Sequence, residues 1–442
     1  MHPLAQAMQD GERPDIDHIV RAWSGFVPLL AELADTPQDA EWHAEGSVHV
    51  HTGMVFEQAA AIVDASAFLQ SEAGAADRLT LLLAAVFHDI GKPLTTRTRD
   101  IAGRERVISP RHAVRGRSAI ALRLPELDLP RPVEAQVLAL VGLHHDPRIM
   151  VNDAANRKLH NPDAAFKRIA SMVRPDLLVL LEQADLKGRI GPGLKTQLEV
   201  LDLFRIGCEQ AEVWPDEPGS DLNWRDEWAE RIAAQFPQLA ADRRELLLGR
   251  GCRDLWAGRC RSIEEVLARV HRFSTPNTAE LILTVGPSGS GKSSWIRREH
   301  PEATVISMDE IRLQLTGKRD DQSRNGEVFQ QAKAELKQAL RPLRLPHPSA
   351  KAHTSDSPRT VIWDATSLLR SQRERLVRIG EDYHALVSIA AFRNTVSALR
   401  ATNKKRCDPI LDDALERQFE SLEWPFTDEA DAVRIIDRRP QM

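Results

Sequence analysis

One eight-residue segment, Gly286-Pro-Ser-Gly-Ser-Gly291-Lys292-Ser293, constrains the fold more than any other part of the chain. The pattern G-x-x-x-x-G-K-[ST] binds phosphate when a buried strand precedes it and a helix follows it. An apolar run at 281–285 precedes the segment here, and a helix-forming run begins at Ser294. Glycines allow backbone N–H groups to surround phosphate oxygens, and a helix N-terminus favours anions. The second half of the chain is therefore predicted to be a nucleotide-binding α/β domain.

The same segment supplies the predicted residues for nucleotide binding. We expect Lys292 to reach the β- and γ-phosphates of ATP, or of another nucleoside triphosphate, and Ser293 to bind Mg²⁺. The full predicted ATP and Mg²⁺ set is Gly286, Ser288, Gly289, Ser290, Gly291, Lys292, Ser293 and Ser294.

Later apolar runs at 303–307, 360–363 and 385–392 alternate with helical stretches, which predicts a βαβ series with a parallel sheet. Asp309 follows the first of these runs and Asp364 follows the second. Ligands bind at the carboxyl ends of such strands. A carboxylate there can accept a hydroxyl proton, and Arg312, on the helical face of Asp309, can hold an acceptor phosphate. Without the phosphate-binding segment, an N-cap aspartate beside a solvent-exposed arginine would be the better interpretation.

Residues 15–200 show apolar positions at three- and four-residue spacing, which predicts an all-α bundle. Residues 201–277 are interpreted as a helical bridge of uncertain allegiance, and residues 278–442 as the α/β domain. A length of 442 residues is consistent with two or three domains.

Histidines and aspartates recur through the predicted bundle around the pair His88-Asp89. One helical histidine is usually a surface or core residue, but imidazole and carboxylate groups on successive helices indicate a transition-metal site that activates water. Lys92 can neutralise a substrate phosphate, and Arg189 shares a helical face with Asp185. The candidate metal ligands are His51, His88, Asp89, His112, His144, His145 and Asp185.

Composition excludes a global attraction to nucleic acid, because 59 basic and 64 acidic residues give a formal net charge of -5. The cysteines, at positions 208, 252, 260 and 407, are far apart, which argues against a disulfide framework or a zinc ribbon. No apolar run is long enough to span a membrane, and the N-terminus lacks a signal-peptide pattern. The chain is expected to be cytoplasmic and to have no membrane partner.

Residues 279–436 resemble the family of 5′-hydroxyl polynucleotide kinases. The resemblance implies that Asp309 is the general base, that Arg312 contacts the acceptor phosphate and that Asp364 helps to position the acceptor end.

That family also carries an R-N-x-x-R lid over the donor phosphates. The segment Thr402-Asn403-Lys-Lys-Arg406 matches its second arginine but has Thr402 in place of the first. Arg400 can substitute for the missing arginine, since phosphoryl transfer needs a nearby guanidinium and not one fixed sequence position. The lid arginine therefore stays open between Arg400 and Arg406.

The first half resembles the HD phosphohydrolase superfamily in a series of short elements. They are His51-Thr-Gly, His88-Asp89-Ile-Gly-Lys92-Pro93, Arg111-His112, Leu143-His144-His145 and Ala184-Asp185-Leu-Lys-Gly-Arg189. The resemblance implies that His51, His88, Asp89, His112 and Asp185 bind metal, with His144 or His145 added. His49 is interpreted as structural or peripheral. Mn, Ni, Co, Cu, Fe and Zn are not distinguished by such ligands.

Together the two halves resemble bacterial HD-domain polynucleotide kinases, which heal broken nucleic-acid ends. The resemblance implies removal of a 2′,3′-cyclic phosphate or a 2′-phosphate by the HD half and phosphorylation of 5′-hydroxyl ends by the other. RNA or DNA ends are then substrates, and a polynucleotide ligase is the functional partner. The implied catalytic set is Lys92, Arg189, Lys292, Asp309, Arg312, Asp364 and Arg406.

Two alternatives remain open from the sequence. In the first, an HD nucleotide hydrolase is joined to a small-molecule kinase in nucleotide metabolism or signalling. In the second, ATP binding at Lys292 switches a degraded HD domain in a sensing regulator. Activity confined to free nucleotides would favour the first, and ATP binding without turnover would favour the second.

Overall fold

A computed structural model describes residues 1–220, 224–275, 278–319, 321–341, 359–406 and 409–437. The stretch 342–358 is rich in proline, histidine and serine, which predicts a surface loop. It lies outside the described residues, as does Cys407. The chain divides into two compact units, Met1–Trp224 and Arg225–Met442. This division assigns residues 201–224 to the first unit and 225–275 to the second. The domain boundaries predicted from the sequence, 15–200, 201–277 and 278–442, stay a prediction.

The first unit is a helical bundle, as predicted. Its helices are α1 (Pro3–Gln9), α2 (Ile16–Trp23), α3 (Leu29–Glu32), α4 (Val48–Ala65), α5 (Ala67–Gln70), α6 (Ala75–Phe87), α7 (His112–Ala121), α8 (Arg131–Leu143), α9 (Asp146–Ala155), α10 (Pro162–Ala170), α11 (Pro175–Lys187) and α12 (Leu194–Gln210). A 3₁₀ turn, Leu124–Leu127, lies between α7 and α8.

Helix α6 is the centre of this bundle. Every residue from Arg78 to Phe87 is buried, and α6 packs against α1, α4, α8 and α11. A helix that is apolar on all sides is stable only when other elements surround it. The sequence of α6 therefore places the residues that follow it, His88 and Asp89, in the interior of the unit.

A β-hairpin interrupts the bundle, which the prediction of an all-α first half did not include. Strand β1 (Arg97–Ile101) pairs antiparallel with β2 (Arg104–Ile108). Ala102 and Gly103 form the turn, and both have positive φ angles, of 55° and 78°. Such two-residue turns suit the right-handed twist of hairpin strands. The pattern was missed because β1 is exposed along its whole length and carries no alternating apolar face.

The second unit is an α/β domain with a parallel sheet, which confirms the predicted fold class. Its strands are β3 (Glu280–Val285), β4 (Thr304–Ser307), β5 (Thr360–Asp364), β6 (Leu386–Arg393) and β7 (Ala432–Asp437). Among the described residues their order is β4-β5-β3-β6-β7, with every neighbouring pair parallel. The helices are α13 (Trp224–Gln235), α14 (Ala241–Trp256), α15 (Ile263–Val270), α16 (Lys292–Glu299), α17 (Met308–Thr316), α18 (Asn325–Leu340), α19 (Arg370–Asp382), α20 (Val396–Lys404) and α21 (Asp412–Ser421). A 3₁₀ turn, His271–Phe273, follows α15.

Strand β3 is central in this sheet and buried along its whole length, as its continuous apolar run predicted. Helix α16 packs on the sheet through Ile296, which clusters with Ile282, Ile362 and Phe392. Burying one such side chain contributes roughly 1.5–3 kcal/mol. This packing fixes the N-terminus of α16 just beyond the carboxyl end of β3.

Two buried arginines in the second unit are paired with carboxylates from distant parts of the chain. Arg373 on α19 donates to Glu429 at 2.7 Å, and Arg250 on α14 donates to Asp431 at 2.9 Å. Residues 425–431 are thereby held before β7. None of the described helices is long and apolar enough to cross a membrane.

Candidate functional site

The first unit brings the predicted metal ligands together in one buried cluster. His51 lies on α4, His88 and Asp89 follow α6, and Asp185 lies near the end of α11. His51 Nε2 is 3.0 Å from Asp185 Oδ1 and 3.3 Å from His88 Nε2. His112, at the start of α7, places Nε2 3.1 Å from Asp89 Oδ1.

His144 and His145, which follow α8, complete the cluster. His145 Nε2 lies 3.1 Å from His112 Nε2, and the rings of His144 and His88 meet edge to face. One ligand atom from each of His112, His144 and His145 falls within a common 4.8 Å. The structure therefore places both histidines at the cluster. The distances alone do not select which of the two binds metal.

Four of the histidines are oriented through their Nδ1 atoms, which approach backbone carbonyl oxygens; His145 Nδ1 has no such partner among the described residues. The distances are 2.8 Å from His88 to Ala85, 2.7 Å from His112 to Ser109, 2.9 Å from His144 to Val141 and 3.2 Å from His51 to Gly188. A proton on Nδ1 donates to the carbonyl and leaves the Nε2 lone pair available as a ligand. Three of these carbonyls lie three residues before their histidine, so the helix ends themselves set the ring orientation.

These residues fit a divalent metal. The Nε2 lone pairs of His51 and His88 face one another in the interior, as do those of His112 and His145, an arrangement that a cation between them stabilises. His144 Nε2 is buried without a hydrogen-bond partner among the described residues. A buried polar atom left in this way is costly, and metal coordination satisfies it. Imidazole and carboxylate ligands suit several transition metals, so the donor set does not select one.

Asp89 connects the two groups of histidines. Its Oδ2 lies 3.2 Å from His88 Nε2, and its Oδ1 faces His112. Burial would raise the pKa of Asp89, but Lys92, His88 and His112 outweigh it and hold the pKa well below its ordinary value. Asp89 is therefore a carboxylate at neutral pH and offers an oxygen to each side of the cluster.

The surroundings of the histidines shift their pKa values in different directions. Burial, followed by the neighbouring charges of His112 and His88, lowers the pKa of His144 to about 3. Burial acts in the same direction on His51, but hydrogen bonds to Asp185 and Glu45 raise its pKa to about 9. The two histidines therefore differ because His144 is surrounded by other histidines, whereas His51 lies between the carboxylates of Asp185 and Glu45.

A cavity of about 330 Å³ opens onto this cluster and is lined by three basic and three acidic side chains. Lys92, Arg148 and Arg189 line it together with Asp89 and His112. Lys92 Nζ donates to Asp89 Oδ2 at 2.6 Å and to Gln38 Oε1 at 2.6 Å. A phosphate entering the cavity meets cations beside the candidate metal ligands, which is the arrangement that phosphoester hydrolysis requires.

Gly91 in the His88-Asp89-Ile-Gly-Lys92 segment has a packing role. A Cβ atom at Gly91 would lie 2.0 Å from the carbonyl oxygen of His112 and 2.5 Å from the backbone nitrogen of Gly116. Only glycine permits this approach. The close contact draws the start of α7 onto the end of α6, and so places His112 beside Asp89.

Sequence reasoning missed several residues of this site. Glu182 lies three residues before Asp185, a helical spacing that could have indicated it, and burial together with Asp185 raises its pKa to about 8. His43 and Glu45 reach His51 from the loop before α4, and Arg148 enters from α9. No sequence signal identifies these three. His49 lies outside the cluster and pairs with Asp17 at 2.9 Å, consistent with a peripheral role.

In the second unit the phosphate-binding segment has the backbone that its glycines predict. Gly289 and Gly291 have φ angles of 82° and 97°, a region that other residues rarely adopt. Lys292 Nζ donates to the carbonyl oxygens of Gly286 and Pro287, each at 2.9 Å. The lysine therefore lies inside the loop, where a bound phosphate would compete with these carbonyls for its protons.

The predicted acceptor residues meet the loop at the carboxyl edge of the sheet. Ser293 Oγ donates to Asp364 Oδ2 at 3.1 Å, and Arg312 donates to Asp309 Oδ1 at 2.6 Å. Burial lowers the pKa of Lys292 to about 8, although Asp364 and Asp309 act in the opposite direction. The carboxylates thus share one electrostatic site with the lysine. The Asp309 side chain is 66% exposed, in contrast to 13% for Arg312.

The two arginines considered for the lid have different surroundings. Arg400 donates to Glu416 at 2.9 Å, whereas the charge of Arg406 acts on Lys292 and lowers its pKa further. Of the two, Arg406 is the arginine whose charge acts at the phosphate-binding loop. Sequence reasoning missed Gln418, whose side chain accepts a hydrogen bond from the backbone N–H of Ser288 at 2.7 Å. It comes from α21, more than a hundred residues away, and no sequence signal indicates it.

Comparison with known families agrees with the two units. Residues 48–185 match the family model described as HD domain, and residues 281–425 match the one described as AAA domain. No curated protein matches the chain. The chain thus carries an HD domain and a P-loop kinase-like domain. HD domains bind divalent metals and P-loop kinases use ATP with Mg²⁺, in agreement with the His/Asp cluster and the phosphate-binding loop.

Proposed function

We propose that the chain is a bifunctional enzyme that heals broken nucleic-acid ends. The HD domain would remove a 2′,3′-cyclic phosphate or a 2′-phosphate, and the P-loop domain would phosphorylate a 5′-hydroxyl end from ATP. The observation that carries the proposal is the exposed carboxylate of Asp309 beside the phosphate-binding loop. A nucleotide-sensing regulator has no use for such an acceptor base, whereas a kinase with a large acceptor requires one that is open to solvent.

In the HD domain, His51, His88, Asp89, His112 and Asp185 would hold the divalent metal, with His144 or His145. When bound, the metal supplies a Lewis acid that acidifies water and polarises a phosphate oxygen. Lys92, Arg148 and Arg189 bind the substrate phosphate through charge-assisted hydrogen bonds. The oxygen of water forms a bond to phosphorus, one ester P–O bond of the ribose phosphate breaks, and a proton of the water passes to the departing ribose oxygen.

In the P-loop domain, Lys292 and the loop N–H groups bind the donor phosphates, and Ser293 would hold Mg²⁺. Asp364, which accepts a hydrogen bond from Ser293, helps to position the acceptor end. Asp309 takes the proton of the 5′-hydroxyl group as its oxygen attacks the γ-phosphorus. The bond to the bridging oxygen breaks, and ADP leaves. Arg312 holds the terminal phosphate of the acceptor strand, and Arg406 neutralises charge on the transferring group.

The products of the two reactions explain why they occur on one chain. Cleavage of RNA by transesterification leaves a 2′,3′-cyclic phosphate and a 5′-hydroxyl, and a ligase joins neither. Hydrolysis of the 3′ ester bond opens the cyclic phosphate to a 2′-phosphate and a 3′-hydroxyl, and a second hydrolysis releases the 2′-phosphate as inorganic phosphate. One phosphoryl transfer then supplies the 5′-phosphate. A polynucleotide ligase is therefore the functional partner that this proposal implies.

A single RNA oligonucleotide with a 5′-hydroxyl and a 2′,3′-cyclic phosphate tests the proposal. It is incubated with the full chain, ATP, Mg²⁺ and Mn²⁺, and both ends are resolved by gel electrophoresis. Gain of a 5′-phosphate together with loss of the cyclic phosphate supports end healing. If neither end changes while free nucleotides are hydrolysed, the proposal is wrong and a role in nucleotide metabolism replaces it.

A further inference from the structure

The β-hairpin of the first unit has strongly separated charges on its two faces. Directly paired residues of an antiparallel ladder project from the same face. The pairs Arg97 with Ile108, Arg99 with Arg106, and Ile101 with Arg104 therefore share one face, which carries four arginines. The pairs Thr98 with Val107 and Asp100 with Glu105 occupy the other face, where both acidic residues lie.

The arginine face adjoins the cavity over the metal-ligand cluster. Ile101, Arg104 and Arg106 line a second cavity of about 360 Å³, together with Asp39 and Trp42. Asp39, Trp42 and Val107 line the cluster cavity as well. The two cavities thus share a wall, and together they form a groove that leads from Asp89 along the hairpin.

One arginine anchors the hairpin and the others do not. Arg106 donates to both carboxylate oxygens of Asp39, at 2.6 and 2.8 Å. Burial would raise the pKa of Asp39, but the hydrogen bonds from Arg106 hold it below its ordinary value, so Asp39 is a carboxylate. Arg106 also pairs with Glu41, so these three side chains together carry one negative charge. Arg97, Arg99 and Arg104 are exposed, and none of them has an ion pair within the described part of the chain.

Trp42 provides an aromatic surface at the junction of the two cavities. Its side chain is 42% exposed, yet its backbone is fixed, because a Cβ atom at Gly191 would lie only 2.6 Å from the Trp42 carbonyl oxygen. Ala44 also donates to Ile190 at 2.9 Å. An exposed indole on a fixed backbone is a stacking surface for a nucleobase, since stacking requires no particular base.

We propose that this groove binds the strand upstream of the 3′-terminal phosphate of a single-stranded polynucleotide. The terminal phosphate lies at the metal-ligand cluster, a neighbouring base stacks on Trp42, and backbone phosphates contact Arg104, Arg99 and Arg97. Alternate strand residues are about 6.8 Å apart, a spacing similar to that between phosphates of an extended strand. The inference rests on the proposed phosphoesterase activity and assigns it a polymeric substrate, in contrast to a free nucleotide.

The test compares two substrates of one chemistry, a 2′,3′-cyclic mononucleotide and a hexanucleotide that ends in the same cyclic phosphate. The hexanucleotide carries a 5′-phosphate, so that the kinase domain has no acceptor. The variants are Arg99→Ser with Arg104→Ser, Trp42→Ala, and Trp42→Phe. Arg21→Ser, which removes an exposed arginine of α2 that lines neither cavity, is the matched control.

We expect the double arginine variant and Trp42→Ala to lose about tenfold or more in kcat/KM on the hexanucleotide. The activity of the double arginine variant on the mononucleotide stays at the wild-type level, as does all activity of Arg21→Ser. Trp42→Phe restores most of the loss, because it keeps an aromatic face. Each phosphate contact contributes about 0.7 to the salt slope of a single strand. Between 50 and 200 mM salt, the wild type therefore loses about sevenfold more hexanucleotide activity than the double variant does.

Equal activity of the variants and the wild type on the hexanucleotide overturns the inference and leaves the phosphoesterase activity standing. If the double arginine variant loses equal activity on both substrates, the inference is also overturned, because the arginines then act on the cluster or on folding. A wild type that hydrolyses neither substrate refutes the proposed function itself, and the groove assignment with it. These outcomes separate failure of the groove from failure of the activity.

Discussion

ATP binding is predicted to weaken above pH 8 because of one buried lysine. Lys292 Nζ hydrogen-bonds the carbonyl oxygens of Gly286 and Pro287 and the hydroxyl of Ser290, all of them neutral acceptors. Burial lowers its pKa to about 8, against the influence of Asp364 and Asp309. At pH 9 the lysine of the free protein is therefore mostly neutral and cannot neutralise phosphate.

The magnitude follows from the difference in pKa between the free and bound states. A bound triphosphate returns a strong anion to Lys292 and raises its pKa toward the ordinary 10.5. Between these two values each pH unit weakens binding by up to tenfold, or about 1.4 kcal/mol. We expect the Kd for a non-hydrolysable ATP analogue to be about tenfold higher at pH 9 than at pH 7.

The lowered pKa of Lys292 also makes the stability of the folded protein depend on pH. The folded pKa of Lys292 lies below its unfolded value, so the charged form is the one that folding disfavours. The penalty is fully present below about pH 8, and it disappears as the pH rises from there toward 10.5. Without nucleotide, this lysine therefore favours unfolding less at pH 10 than at pH 7.

Titration calorimetry of the analogue with Mg²⁺ measures the effect, in two buffers of different ionisation enthalpy at pH 7 and pH 9. Binding at pH 9 is expected to take up close to one proton, and binding at pH 7 close to none. Lys292→Arg is the control, since a guanidinium stays charged over this range and abolishes the uptake. A Kd that does not change from pH 7 to pH 9, with no proton uptake, would refute the reasoning.

Three further predictions concern the two sites and their packing. Asp309→Ala should lower kinase activity at least a hundredfold and spare the phosphoesterase activity, while Asp89→Ala should do the reverse. Both activities are measured on one RNA that carries a 5′-hydroxyl and a 2′,3′-cyclic phosphate. A variant that loses both activities contradicts two independent sites. Gly91→Ala places a methyl group against the His112 carbonyl and should destabilise the HD domain by about 2–3 kcal/mol in urea unfolding, with loss of bound metal. Glu429→Gln leaves the Arg373 guanidinium buried without its counterion and should destabilise the P-loop domain by roughly 3–5 kcal/mol, whereas an unchanged midpoint would show that water reaches the pair.

Local sequence patterns were sufficient for the central part of the P-loop domain. The apolar runs at 281–285, 303–307, 360–363 and 385–392 correspond to β3, β4, β5 and β6. Strands β3, β5 and β6 are buried on both faces and are therefore nearly continuous apolar runs, which is why they were detected. Strand β4 is a partly exposed edge strand, and its short β-branched run was sufficient to indicate it. Strand β7 was missed because it lies at the edge of the sheet and is only partly buried. Ile435 and Asp437 are exposed, so the strand has no continuous apolar run.

Candidate ligands within short motifs could be named from the sequence, but their supporting residues could not. His88 and Asp89 are adjacent in the chain. The prediction that Asp185 and Arg189 share a helical face was wrong, because α11 ends at Lys187, although both residues line the cluster cavity. Glu45 reaches His51 from an irregular loop, and no periodicity marks it. Gln418 reaches Ser288 across 130 residues, a contact that depends on how α21 packs.

The β-hairpin shows why sequence patterns did not predict every element of the fold. Its sequence, Arg97-Thr-Arg-Asp-Ile101, alternates charge instead of hydrophobicity, so a search for apolar faces treats it as a connection between helices. Side-chain direction along a strand alternates whether or not one face is apolar. Pairing in the register of β1 with β2 therefore collects the arginines on one side and the acids on the other. A chain with a net charge of -5 can in this way present a local cationic surface next to the HD cluster, because the register of two short strands and not the overall composition determines which charges a polyanion meets.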